Sequence, residues 1–154
     1  MKTKILILVS SLLISISAWG QNGKDVPANV KSSFSQKFSR ASGVKWSKEN
    51  DKEWEAEFKM DGKEYSANFD NAGTWLETEY EVAVKEIPSA VKATLDKESM
   101  GFKIEESALS ETKNGKAFEF VISKGETEFE LSIDTNGKLL SKEQLKEEDE
   151  DDEK

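Results

Sequence analysis

Val26, Val30, Phe34 and Phe38 recur every four residues, with Lys31, Ser32, Ser33, Gln36 and Lys37 between them. That spacing predicts an amphipathic helix opening at Pro27, where a missing N–H costs nothing in the first turn. From Glu53 the period becomes two. Trp54, Ala56, Phe58 and Met60 alternate with Glu53, Glu55, Glu57 and Lys59, and Tyr65, Ala67 and Phe69 alternate with Glu64, Ser66, Asn68 and Asp70. Asp61-Gly62 between these runs predicts a two-residue hairpin, because both positions tolerate positive φ. Val44 to Ser47 predicts a preceding strand. After the turn Asp70-Asn71-Ala72-Gly73, a further strand is expected over Thr74 to Val84.

The pattern then starts again. Val26-Pro27-Ala28-Asn29-Val30-Lys31 returns as Ile87-Pro88-Ser89-Ala90-Val91-Lys92 at an offset of 61, with Leu95 continuing the stripe and Met100 and Phe102 closing its exit. At an offset of 64, Phe118, Phe120 and Ile122 follow Trp54, Ala56 and Phe58, and Phe129, Leu131, Ile133 and Asp134 follow Tyr65, Ala67, Phe69 and Asp70. The second copy has gained three residues between its halves. The expected fold is α+β: two tandem helix-plus-four-stranded antiparallel units, residues 24–84 and 85–143, with the helices covering one sheet face. A 60-residue unit alone buries too little surface for comfortable stability, so the copies should share a sheet or pack their cores together.

Val26-Pro27, Val30-Lys31, Phe34, Phe38, Val44-Lys45-Trp46, Trp54 to Phe58, Ala67 to Asp70 and Gly73 to Glu79 together resemble the PepSY-like, beta-lactamase-inhibitor-like periplasmic proteins of Bacteroides and relatives. The resemblance runs over most of residues 24 to 143. It is looser in the second copy, where Phe118 and Leu139 stand at the positions of Trp54 and Trp75. It implies two tandem helix-plus-four-strand units with their sheets side by side, and it implies no catalytic residues.

The ends of the chain have a different character. Lys2 and Lys4, the apolar run Ile5 to Ile16 and the small residues Ala18 and Gly20 predict a signal peptide over residues 1–20, cleaved before Gln21. The run is too short for a membrane span, which needs ~20 apolar residues. The mature protein is therefore expected in the periplasm or secreted, off the membrane. Its 20 basic and 31 acidic residues give −11, of which −6 falls in Glu147 to Lys154. Residues 144–154 read as an acidic disordered, solubilising tail.

Composition removes several chemistries. There is no Cys and no His, so disulfides, thiolate nucleophiles, imidazole bases and zinc–sulfur sites are excluded. The acidic balance argues against nucleic acid, which requires clustered Lys and Arg. Only carboxylates are plentiful. Glu53, Glu55, Glu57, Glu64, Glu119, Glu128 and Glu130 fall on the polar phase of predicted strands and read as a solvated face, not as acids in a desolvated cleft. No catalytic residue, cofactor or metal site is assigned. Asp70 to Gly73 and Asp134 to Gly137 lack the spacing of an EF-hand and read as Asx-and-Gly turns.

What remains is recognition. The expected function is an exported, non-enzymatic binding module that takes a basic protein or peptide partner on its open sheet face and restrains an envelope enzyme. It would act as a monomer or weak dimer. Trp75, Glu77, Glu79, Asp61, Glu55 and Glu57 are the candidate partner-binding residues. The length of the Asp70–Gly73 turn decides whether Trp75 stands on the open face with Glu77 and Glu79 or at the edge of the core. The alternative is a periplasmic small-molecule or cation carrier.

Overall fold

The structure, a computed structural model, describes residues 25–145. The predicted signal peptide and the acids from Glu147 onward lie outside the described residues. Helix α1 spans Ala28–Lys37, and strands β1 (Ser42–Asn50), β2 (Glu53–Met60), β3 (Lys63–Asp70) and β4 (Trp75–Glu81) follow it. A short 3-10 turn, Val84–Glu86, leads to α2 (Ser89–Glu98), and then come β5 (Lys103–Thr112), β6 (Gly115–Lys124), β7 (Thr127–Asp134) and β8 (Leu139–Leu145). Thr74 and the three residues from Val82 to Val84 thus fall outside β4, which is shorter than the strand expected over 74–84. Strand β8 in turn takes in Gln144 and Leu145, which pair with Phe129 and Glu128 inside the segment expected as tail.

All eight strands form one antiparallel sheet in the order β1 to β8. The pairing of β4 with β5, from Glu77↔Thr112 to Glu81↔Ala108, joins the first four strands to the last four. The helices lie on one face. Val30 and Phe34 of α1 pack with Trp54, Ala56, Phe58, Ala67 and Phe69 in one core, and Val91 and Leu95 of α2 pack with Phe118, Phe120, Ile122, Leu131 and Ile133 in another. The register carries Ala67 to Thr78, and Tyr80 through Leu109 to Phe118, so both cores sit on the same side of the sheet. Fully burying a residue of this size contributes about 1.5–3 kcal/mol, which is why the helical stripes choose the side. The first core is aromatic: the Phe34 ring lies 5.1 Å from Phe58 and 5.3 Å from Trp46 and from Phe38. The expected closure of α2 is half observed, since Phe102 packs on the core while Met100 is exposed.

The turns follow the expected chemistry. Asp61 and Gly62 take φ of 52° and 81° between the paired residues Met60 and Lys63. Asp70 Oδ1 accepts from the N–H groups of Ala72 and Thr74, and Asp134 Oδ1 accepts from those of Asn136 and Lys138. These carboxylates cap their own turns and need no metal to do so. Each turn also presses a glycine on a helix: a Cβ at Gly73 would lie 2.9 Å from the Asn29 carbonyl oxygen, and one at Gly137 would lie closer still to that of Ala90. Thr94 Oγ1 donates to the Gly137 carbonyl at 2.5 Å, fixing the same approach.

Gly137→Ala is therefore expected to cost about 3 kcal/mol or more, from left-handed strain and the clash with α2 together. Gly125→Ala, also at positive φ but with open space around it, should cost only about 1 kcal/mol. Urea unfolding of the two variants measures the difference; equal losses would remove the close approach as its cause.

Candidate functional site

Antiparallel pairing assigns each strand residue to a face. Opposite the helices lie Glu55 and Glu57 of β2, Ser66 and Asn68 of β3, and Glu77, Glu79 and Glu81 of β4. The face continues through Glu106, Ala108 and Ser110 of β5, Glu119 of β6, Glu128, Glu130 and Ser132 of β7, and Glu143 of β8. No helix covers it among the described residues. It carries the acids by the same alternation that put Phe and Ile on the other side.

The acids at its centre are not solvated, which corrects the expectation for Glu119 and Glu130. Glu79 is 4% exposed, Glu77 and Glu130 7%, and Glu119 9%. The cause is the size of their neighbours. Glu79 pairs across to Ser66 and Ser110, and Glu119 to Ala108 and Ser132, so long acidic side chains lie down over short ones. The carboxylate oxygens of Glu77, Glu79 and Glu119 all lie within 4.8 Å of one another. Ser110 Oγ donates to Glu77 Oε1, and Glu119 shares a hydrogen bond with Glu79. A cavity of about 20 Å³ opens beside them, bounded by Glu79, Glu106, Glu119 and Glu130 with Ala108 and Val121.

Crowding these groups moves their titration. Burial, followed by the hydrogen bond and charge of Glu79 and the charges of Glu77 and Glu130, pushes Glu119 far up, to about 10. Burial and the charges of Glu79, Glu143 and Glu77 push Glu130 to about 7. Glu106 is raised by burial and by Glu128, Glu81 and Glu105. Glu55 is raised by burial and the nearby Glu49, against a hydrogen bond from Ser47. At neutral pH Glu119 therefore holds its proton and donates it to Glu79.

The candidate residues separate into three places. Glu55, Glu57, Glu77 and Glu79 share the uncovered face, with Glu57 exposed and Glu55 half-buried. Trp75 does not join them. The pairs Asn68↔Glu77 and Phe69↔Trp75 leave Leu76 unopposed, a bulge that reverses the alternation within β4. Trp75 consequently packs against the first core, donates from Nε1 to Thr78 Oγ1 at 2.8 Å, and carries Lys37 Nζ 3.5 Å above its ring. Paired strand residues of the uncovered face include no aromatic, so the expected acidic-and-aromatic combination is split between faces. Asp61 stands at the β2–β3 hairpin tip in an ion pair with Arg40 at 2.8 Å. Beside it, on the helix side, an open groove of about 550 Å³ is lined by Lys37, Arg40, Tyr65, Tyr80 and Lys116 among others. It is not the deep apolar pocket that a small-molecule carrier calls for.

The profile of the beta-lactamase-inhibitor-like, PepSY-like proteins matches residues 52–141. The chain belongs to that family. Solved structures share the fold of this chain. A BLIP-like protein from Bacteroides fragilis NCTC 9343 superposes with a TM-score of 0.70 at 20% identity, covering 80% of this chain and 89% of the other. A DUF2874 family protein from Bacteroides uniformis ATCC 8492 also gives 0.70, at 19% identity over 77% and 88%. A protein from Bacteroides eggerthii DSM 20697 that is called periplasmic gives 0.70 at 16% identity over 78% and 89%. No curated protein matches the chain at significant similarity. No helix among the described residues is long and apolar enough to cross a membrane.

The raised carboxyls give stability a definite pH dependence. Glu119 and Glu130 bind protons more tightly in the folded chain than at their ordinary value of 4.5. Folding therefore takes up protons above that pH, and stability falls as pH rises through about 7 for Glu130 and on toward about 10 for Glu119. The unfolding free energy should be lower at pH 8 than at pH 5 by about 2–4 kcal/mol. Glu119→Gln, which keeps a donor toward Glu79, should raise stability at pH 8 by about 1–3 kcal/mol and flatten the profile. A profile of unchanged slope in this variant would remove the buried cluster as its origin.

Proposed function

We propose that this family member is an exported, non-enzymatic binding module that recognises a basic segment of a protein or peptide partner on its uncovered sheet face, and thereby restrains an envelope enzyme. The observation that carries this reading is the face itself: a continuous eight-strand surface, uncovered by either helix, on which acids and small residues outnumber the few others such as Lys45, Val121 and Leu145. In this reading residues 24–84 and 85–143 are tandem helix-plus-four-strand units sharing that surface, and residues 1–20 direct export to the periplasm. The exposed Glu57 and Glu81, with Glu143, supply direct contacts at the rim. The buried Glu77 and Glu79 and the half-buried Glu55 supply the negative field behind them. Trp75 and Asp61, on the helix side and at a hairpin tip, stay outside the contact.

Electrostatic attraction of this kind raises the association rate more than the affinity and weakens with salt. The test is a pull-down from envelope extract with wild type, the double variant Glu57→Lys/Glu81→Lys, and Trp75→Ala. A specific partner should be lost from the double variant and kept by Trp75→Ala. Its association rate with wild type should fall about tenfold or more between 50 and 300 mM salt. Retention of every specific partner by the double variant would discard the face as the binding surface.

A further inference from the structure

The carboxylate cluster at the centre of the uncovered face has a second feature beyond its density of acids. Oε2 of Glu130 is buried and has no hydrogen-bond partner among the described residues, although only 7% of this side chain's residue is exposed. It borders the small cavity that Glu79 and Glu119 also border. Oε2 of Glu106, on the neighbouring strand β5, is likewise buried and unpartnered at the same cavity. Buried polar atoms are nearly always satisfied, so two lone pairs turned toward one void call for an occupant.

The void selects the occupant. Its volume of about 20 Å³ fits one water-sized sphere and nothing larger. Beside Ala108, Phe120 and Val121, the polar side chains of its walls are carboxylates, from Glu79 on β4, Glu106 on β5, Glu119 on β6 and Glu130 on β7, with Glu77 of β4 close to Glu79 and Glu119. None of the ion pairs formed among the described residues reaches Glu106, Glu119 or Glu130. The other acids facing the cluster, Glu81, Glu128 and Glu143, add negative charge. We propose that Glu77, Glu79 and Glu119, whose carboxylates offer oxygens within 4.8 Å of one another, with Glu130 and Glu106 at the margins, hold a single hard divalent cation of calcium's size, which displaces the proton shared by Glu79 and Glu119. Carboxylates borne on flexible side chains of four strands suit the irregular, many-oxygen coordination of calcium. Magnesium keeps several of its waters, and a one-sphere void has no room for them. The proposal stands apart from the partner reading, because its test uses the metal alone.

Calcium, magnesium and sodium chlorides are added at matched ionic strength and constant pH to chelator-treated protein, with Tm and calorimetric heat as readouts. One calcium per chain should bind tightly, raising Tm by about 5 °C or more at saturating metal, and magnesium should bind about tenfold more weakly. Glu119→Gln and Glu130→Gln should each weaken calcium binding by about tenfold or more. Glu64→Gln, exposed at the edge of the same face, should leave it unchanged. Binding by the acids of residues 147–154 would survive in all three variants, which separates the two sources. Calcium that stabilises no more than sodium at equal ionic strength overturns the site, as does affinity retained in both Glu119→Gln and Glu130→Gln. Should one of these variants fail to fold, the other decides.

Discussion

The pairing of β4 with β5 is the contact on which the rest of this molecule depends. Five residue pairs there, Glu77↔Thr112 to Glu81↔Ala108, turn two hydrophobic cores into one two-layer structure. Each core centres on one short helix and four strands, a size at which buried area barely offsets chain entropy. Joining the sheets removes two exposed strand edges and, through the pair Tyr80↔Leu109, packs Tyr80 of β4 against the second core. The same pairing has a cost on the other face. It brings Glu77 and Glu79 of the first half against Ser110 and Glu119 of the second, concentrating carboxylates where no cation among the described residues forms an ion pair with Glu119.

A buried acid without a cationic partner is normally selected against, because desolvation penalises its charged form by several kcal/mol. Here the penalty is met by proton uptake at Glu119 and Glu130, so the cluster is neutralised in part rather than dispersed. Hydrophobic residues of similar volume at these positions would stabilise the sheet more. That acids stand there instead is the argument for recognition chemistry on this face and not on the helix side, where aromatic packing already accounts for the residues.

Much of the scaffold was legible from spacing alone. The four-residue stripe of Val26, Val30, Phe34 and Phe38 marks α1, Asp61-Gly62 marks its hairpin, and Asp70 and Asp134 mark turns that their own side chains close. Periodicity also assigned the acids of β2, β6 and β7 to the correct face. Two things lay beyond it. Alternation says which side a residue takes but not how deeply its neighbours bury it, so Glu119 and Glu130 read as solvated; the small residues Ala108, Ser110 and Ser132 become a signal only once register sets them alongside. Trp75 was undecidable for a related reason. A single unopposed residue, Leu76, inverts the parity of β4, and a bulge leaves no mark in a hydrophobic pattern that either phase can satisfy.

The sequential strand order carries a consequence for how the chain reaches this structure. Every sheet contact but one closes across a turn of a few residues, an inexpensive loss of chain entropy that favours rapid local assembly. The exception is β4 with β5, which must close around residues 82–102 and the whole of α2. Each half can thus collapse on its own helix before the seam forms. The late event in folding is then the one that assembles the carboxylate cluster, and the acidic face becomes continuous only when the molecule is complete.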